Sequence, residues 1–214
     1  MTGEQMKRSD TCLSDQHGDG QTMPADGDHR VYQDLGLFVM PKGFRGRSAF
    51  TVQLWWIVQD TLFRFSPQAL FGWRALLLRL FGASVGSNVR VRSTVRVTFP
   101  WKLSIKDNVW VGDDCVLYNL ADIRIGSNVA LAHSVYLCTG RHDYTKVDFP
   151  IEAAPIHIED QVWLTNDTFV GPGVTVGYGS VVGARSSVFH DLPPGMVCHG
   201  SPARAVKPRR MNGN

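Results

Sequence analysis

Among the seven histidines of this 214-residue chain, one stands where an otherwise regular pattern breaks. His142 lies in Thr139-Gly140-Arg141-His142-Asp143-Tyr144, at the head of an irregular stretch that runs to Pro155. An imidazole titrates near neutral pH, so it can take a proton from an attacking group and hand one to a departing group. The chain has no Gly-x-Ser-x-Gly nucleophile elbow, which fits direct attack without a covalent enzyme intermediate. Two further histidines, His17 and His29, fall in a polar N-terminal stretch. His133, His157, His190 and His199 fall on or beside regular repeats and read as structural. The spacing His-x4-His, which a three-histidine zinc site on stacked coils would use, is absent, and no metal is expected. Cys12, Cys115, Cys138 and Cys198 form no CxxC pair and read as reduced thiols. No secretory signal opens the sequence, so a cytoplasmic protein is expected.

The pattern that breaks at His142 has a period of six. Aliphatic residues fall at Val85, Val91, Val97, Ile105, Val111, Leu117, Ile125, Leu131 and Leu137, then at Ile158, Leu164, Val170, Val176, Val182 and Val188. Two steps are eight residues long (Val97 to Ile105, Leu117 to Ile125), and one long interruption separates Leu137 from Ile158. Glycine often follows the aliphatic residue, as at Gly86, Gly112 and Gly126. Asn, Asp or Gly follows soon after, and a small or β-branched residue such as Val89, Cys115, Val135 or Ser180 comes fourth. Six fits neither a helix nor a hairpin. It fits a parallel β-helix in which each hexad is a short strand plus a corner. The aliphatic points to the axis, while Gly, Asn or Asp tolerates the left-handed corner backbone. Fifteen hexads at three per coil predict about five coils.

The rest of the chain divides around this body. Residues 1–34 are polar and lack apolar periodicity, and are expected to be a disordered tail. Residues 35–82 read as an N-terminal helical cap, with two apolar helical patterns meeting at Ser66-Pro67 and stopped by Gly82. An open solenoid end needs such a cap. A second reading of residues 48–81 is peripheral membrane contact through Trp55, Trp56 and nearby arginines, at the inner face of the membrane. The longest uncharged run there, Ser48–Gln59, is well short of the roughly 20 residues of a spanning helix. The β-helix domain is expected over 83–193, with a loop at 139–155, and a basic C-terminal cap over 194–214. Net charge is +3, with residues 1–30 near −3 and the remainder near +6. Such a body attracts anionic ligands such as phosphates but lacks the basic footprint of a nucleic-acid binder.

These residues together resemble the left-handed β-helix, or hexapeptide-repeat, acyltransferases, and within them the bacterial exopolysaccharide O-acetyltransferases. The resemblance covers most of the chain after residue 35. It rests on QLWWIVQDTLF, GWRALLLRLFGASVG, FPWKLSIKDNVWVGDD, LYNLADIRIGSNV, YLCTGRHDYTKVDF, PIHIEDQVWLTNDTFVGPGVTVGYGSVVGARSSV and the closing DLPPGMVCHGSPARAVKPR. The hexads alone give the fold. The histidine loop and the closing segment point to acetyl transfer from acetyl-CoA to a hydroxyl of a sugar or exopolysaccharide precursor. The resemblance further implies a homotrimer with the active site between protomers.

By the same resemblance His142 is the catalytic base and Asn119 lines the acceptor site; beside the histidine, Asp143 and Tyr144 are further acceptor-site candidates, Asp143 also as a candidate to orient the imidazole. Trp163 matches a tryptophan beside the pantetheine, and the Asn166 amide an oxyanion donor. Gly183, Ala184 and Arg185 match a pantetheine-contacting segment, and Arg204 and Lys207 match phosphate contacts. The sequence departs from the family's Trp-Ile-Gly-Ala/Ser with Trp163-Leu164-Thr165-Asn166, and carries Arg185 in place of a glycine. N-acylation of an amino sugar, a zinc lyase and a non-catalytic scaffold are the alternatives on this fold.

Overall fold

The computed structural model describes residues 30–211. Most of the expected disordered tail, residues 1–29, lies outside the described residues. Five coils of three short strands follow the helical segment. The first is β1 (Ser84–Val85), β2 (Arg90–Val91) and β3 (Arg96–Val97); the second is β4 (Leu103–Ile105), β5 (Trp110–Val111) and β6 (Val116–Tyr118). The third is β7 (Ile123–Ile125), β8 (Ala130–Leu131) and β9 (Tyr136–Cys138). A hairpin of β10 (Gly140–His142) and β11 (Ile151–Ala153) then leaves the coil. The path resumes with β12 (Ile156–Ile158), β13 (Trp163–Leu164) and β14 (Phe169–Val170), then β15 (Thr175–Val176), β16 (Val181–Val182) and β17 (Ser187–Val188). A sixth coil begins at Leu192 and continues as β18 (Met196–Gly200), which turns back as antiparallel β19 (Ala203–Pro208).

Parallel pairing stacks these strands into three walls: β1-β4-β7-β12-β15, β2-β5-β8-β13-β16-β18 and β3-β6-β9-β14-β17. The result is a left-handed parallel β-helix. The inward aliphatics form the core: from Val91 to Val188 all fourteen are at most 2% exposed, and only Val85 in the terminal coil is half-buried. Each such burial contributes about 1.5–3 kcal/mol before chain entropy is counted. The corners carry left-handed φ where the hexad pattern placed Asn or Asp, as at Asn108 (58°), Asp114 (58°) and Asn128 (58°). Gly112 shows why glycine follows the aliphatic: a Cβ there would sit 2.6 Å from the Ala132 carbonyl oxygen of the next coil.

The three irregular steps all fall at one edge of the prism, between the third wall and the first. They join β3 to β4, β6 to β7 and β9 to β12, so the insertions stack.

The helical segment closes the open end. Helix α1 (Ala49–Val58) runs on into a π-turn at Gln59–Phe63, and α2 (Phe71–Leu80) follows after Pro67. An exposed strand edge leaves unpaired backbone groups, and each first-coil strand is met by side chains from this cap. The Arg79 guanidinium donates to the carbonyls of Val85 (3.0 Å) and Gly86 (2.7 Å), and Arg74 Nε donates to Val91 O at 2.6 Å. Trp55 Nε1 donates to Val97 O at 2.8 Å, and the Val97 N–H donates to Gln59 Oε1 at 2.6 Å.

Candidate active site

The hairpin that carries His142 is fastened at its base by the stacked insertions. Asn119 is fully buried; its Oδ1 accepts from Phe99 N–H (2.9 Å) and its Nδ2 donates to Phe99 O (2.6 Å). Thr139 Oγ1 donates to Tyr118 O (3.0 Å) and accepts from Ala121 N–H (2.9 Å). Lys102 Nζ donates to the carbonyls of Leu120 and Phe44 at 2.5 and 2.8 Å. A Cβ at Gly140 would lie 2.6 Å from Leu120 Cδ1, so a larger residue there requires that side chain to shift. Along the hairpin, Arg141 pairs with Glu152 at 2.9 Å.

At its end His142 is half-buried, with Nδ1 2.8 Å from the carbonyl oxygen of Phe149. A carbonyl only accepts, so Nδ1 carries the hydrogen and the Nε2 lone pair is left available. The ring lies flat on Phe149, with centroids 4.3 Å apart and planes 7° from parallel, and Phe38 approaches from another side at 6.0 Å. Phe149 itself holds φ at 46°, a left-handed backbone rarely adopted by an aromatic residue. The segment before the cap joins this group: after a 3₁₀ turn at Leu35–Leu37, Phe38 touches the imidazole, and Asp34 N–H donates to Val147 O at 2.8 Å.

Two sequence-based assignments are corrected here. Asn119 has no surface to present to an acceptor, since both ends of its amide are spent on Phe99 inside the corner. Asp143 does not orient the imidazole. Its carboxylate accepts from the Thr145 hydroxyl (2.5 Å) and N–H (3.0 Å) and pairs with Lys146 at 3.1 Å. Those donors, the Thr145 hydroxyl foremost, hold its pKa down to about 2. Tyr144 is 82% exposed.

The expected donor residues lie elsewhere on the prism. Trp163 stands on the second wall, in register with Ala130 and then Trp110 on successive coils. Two tryptophans flanking an alanine leave a notch, and a cavity of about 540 Å³ opens there, lined also by Phe71, Arg90 and His133. The cavity is missing from the sequence reading although its signal is present: Trp110 and Trp163 occupy the same outward hexad position. Phe149 was missed too, because a backbone carbonyl leaves no mark in a motif.

The departures from the family pattern are accommodated. Thr165 Oγ1 donates to Val182 O (2.7 Å), and the Asn166 carbonyl accepts from Arg185 N–H (2.9 Å). Arg185 takes the left-handed corner at φ 58° with its side chain exposed. Gly183 is packed against the last strand turn: a Cβ there would be 2.9 Å from His199 Cβ, while Ala184 beside it is exposed. Arg204 and Lys207 project from β19, opposite His199 and Val197. Arg209, by contrast, is committed to the carbonyls of Gly179 (2.9 Å) and Gln161 (3.1 Å). No cluster of three or more metal-ligating side chains occurs among the described residues. The cavity at Trp163 does not include His142, whose ring is instead held by Phe149 and flanked by Phe38.

No family model matches the chain. Individual proteins do. It is 55% identical over 177 residues to the "Putative colanic acid biosynthesis acetyltransferase WcaF" of Escherichia coli K12, covering 83% of this chain and 97% of that one. It is 31% identical over 137 residues to the galactoside O-acetyltransferase of Escherichia coli K12, covering 63% of this chain and 68% of the relative. Among solved structures, a hexapeptide-repeat acetyltransferase of Vibrio cholerae complexed with acetyl coenzyme A superposes with a TM-score of 0.71. That match has 26% identity and covers 78% of this chain and 92% of the other. A maltose O-acetyltransferase from Clostridium difficile 630 superposes with a TM-score of 0.70 at 26% identity, over 77% of this chain and 90% of the other. With its coils, its hairpin histidine and these relatives in view, the chain belongs to the hexapeptide-repeat acetyltransferases, whose acyl donor is acetyl-CoA.

Proposed function

We propose that this protein O-acetylates a sugar or exopolysaccharide precursor, with His142 as general base in direct attack. The acceptor hydroxyl oxygen forms the new C–O bond at the thioester carbonyl as its proton passes to His142 Nε2. The C–S bond then breaks, and the same nitrogen returns the proton to the departing thiolate, leaving an ester and free coenzyme A thiol. The observation that carries this reading is the Nδ1–H bond to Phe149 O, which leaves Nε2 as the basic nitrogen. The identity to a colanic acid biosynthesis relative supports an exopolysaccharide acceptor.

In this reading the exposed Asn166 segment supplies the oxyanion donor through its backbone N–H, and Tyr144 flanks the sugar. Trp163, with Gly183, Ala184 and Arg185, lies along the pantetheine, and Arg204 and Lys207 meet the nucleotide phosphates. The separation of His142 from Trp163 within one chain supports a homotrimer in which neighbouring protomers complete each site. The enzyme works in the cytoplasm, at the inner face of the membrane.

The test is thiol release from acetyl-CoA over a panel of nucleotide sugars and oligosaccharides. A hydroxyl acceptor should be found, and His142→Ala should cut turnover on it by about 10²–10⁴-fold while the protein stays folded and binds coenzyme A. Undiminished turnover in that variant would remove the histidine from the mechanism.

A further inference from the structure

The outer face of the helical cap carries a run of exposed apolar side chains. Val52, Trp55, Phe63, Leu77 and Leu78 point into the prism and are buried. On the opposite side of α1 and its π-turn, Phe50 is 76% exposed, Ile57 60% and Phe65 80%, with Leu54 and Leu62 beside them. On α2, Leu80 is 70% exposed, with Trp73 and Leu76 on the same side. The two segments meet here, where Trp73 Nε1 donates to Leu62 O at 3.1 Å. A helix that is apolar all round belongs inside a core or at a membrane, and a monomer rarely leaves such a patch to water.

The charges beside this face choose between occupants. Arg45 and Arg47 precede α1 and Arg64 follows its π-turn; all three are exposed, with no carboxylate partner among the described residues. The one acid of the helical pair, Asp60, pairs with Arg96 at 3.6 Å. A second copy of the same face would set these arginines against themselves. Residues 1–29 hold one leucine, three methionines and no aromatic residue, too little apolar surface to cover the helices. Exposed tryptophans at Trp56 and Trp73 suit an interface between water and hydrocarbon.

We propose that the outer face of α1 and α2 is a docking surface for an anionic lipid bilayer, with Phe50, Ile57 and Phe65 entering the headgroup layer and Arg45, Arg47 and Arg64 meeting lipid phosphates. No helix among the described residues is long and apolar enough to cross a membrane, so the contact is peripheral. This deepens the membrane-side placement proposed above and is independent of the histidine mechanism.

The test is co-sedimentation of the full chain with phosphatidylglycerol-rich vesicles at about 0.15 M salt, against vesicles of phosphatidylcholine alone. The native protein should bind the anionic vesicles more tightly. Arg45→Gln, Arg47→Gln and Arg64→Gln should each weaken binding about fivefold. The combined Phe50→Ser, Ile57→Ser and Phe65→Ser variant should lose at least roughly tenfold, with circular dichroism and thiol release on a water-soluble acceptor unchanged. Absence of binding to anionic vesicles, or equal binding by the serine variant, overturns the proposal. So does a serine variant whose oligomeric state changes in lipid-free sedimentation, which would make this face a contact between copies.

Discussion

The hold of Phe149 on His142 can be isolated by a double-mutant cycle. Phe149 contributes in two ways: its carbonyl fixes the Nδ1 hydrogen, and its ring supports the imidazole face to face at 4.3 Å. Phe149→Leu keeps the carbonyl and, being unbranched at Cβ like phenylalanine, meets the same backbone cost at φ 46°. What it removes is the stacked ring, worth about 1 kcal/mol for such a pair. If all of that acts through the imidazole, kcat falls about fivefold while KM for acetyl-CoA is unchanged. His142→Ala alone should cost about 2.7–5.5 kcal/mol in the barrier, from the rate factors of general-base catalysis. The combined variant should then be no slower than His142→Ala, a coupling of about 1 kcal/mol, well above the 0.3–0.5 kcal/mol within which independent sites add. The assay is thiol release at saturating acetyl-CoA on the best acceptor of the panel. A further fivefold loss from Phe149→Leu in the His142→Ala background would show that Phe149 serves the acceptor or the fold instead, and the positioning argument would fail.

Other outcomes follow from the same geometry. Arg74 is fully buried and, besides Val91 O, donates to Ser66 Oγ (2.8 Å), Pro67 O (3.0 Å) and Gln68 O (2.7 Å). Arg74→Met strands the buried Val91 carbonyl and frees the α1–α2 connection, at about 2–4 kcal/mol. Thermal unfolding should move down by roughly 10 °C; a shift within about 2 °C would mean the cap does not seal the solenoid edge. Burial pushes the Cys115 thiol up to about 12 and raises that of Cys198, so both stay protonated at neutral pH. Mass spectrometry after maleimide treatment at pH 7.5 should find both unlabelled until the chain is denatured. Arg204→Gln and Lys207→Gln should each raise KM for acetyl-CoA several-fold without changing kcat, and this difference should shrink as salt is added.

The fold was legible because the period of six is enforced at every coil. An inward position filled by anything but a close-packed aliphatic leaves a gap between stacked strands, and Gly112 has a backbone carbonyl where its Cβ would be. Such constraints are local and repeat, so Val91 through Val188 announce the prism without any knowledge of the rest. The two eight-residue steps follow the third and sixth hexads and the long break follows the ninth, so three hexads per coil already set all three on one edge. What stays hidden in the sequence is that Asn119 is spent bracing that edge. Asn119 and Asp143 misled for a related reason: an amide or carboxylate near a reactive group in sequence is as readily consumed by the backbone that positions that group. His142 was legible as an interruption, whereas the atom that selects its tautomer is the carbonyl of Phe149, seven residues away. Backbone acceptors carry no residue identity, so sequence could nominate the base but not its partner. The same holds for the cap, where Arg74, Arg79, Trp55 and Gln59 reach three different strands: each is an ordinary helical residue until the strand it completes is in place.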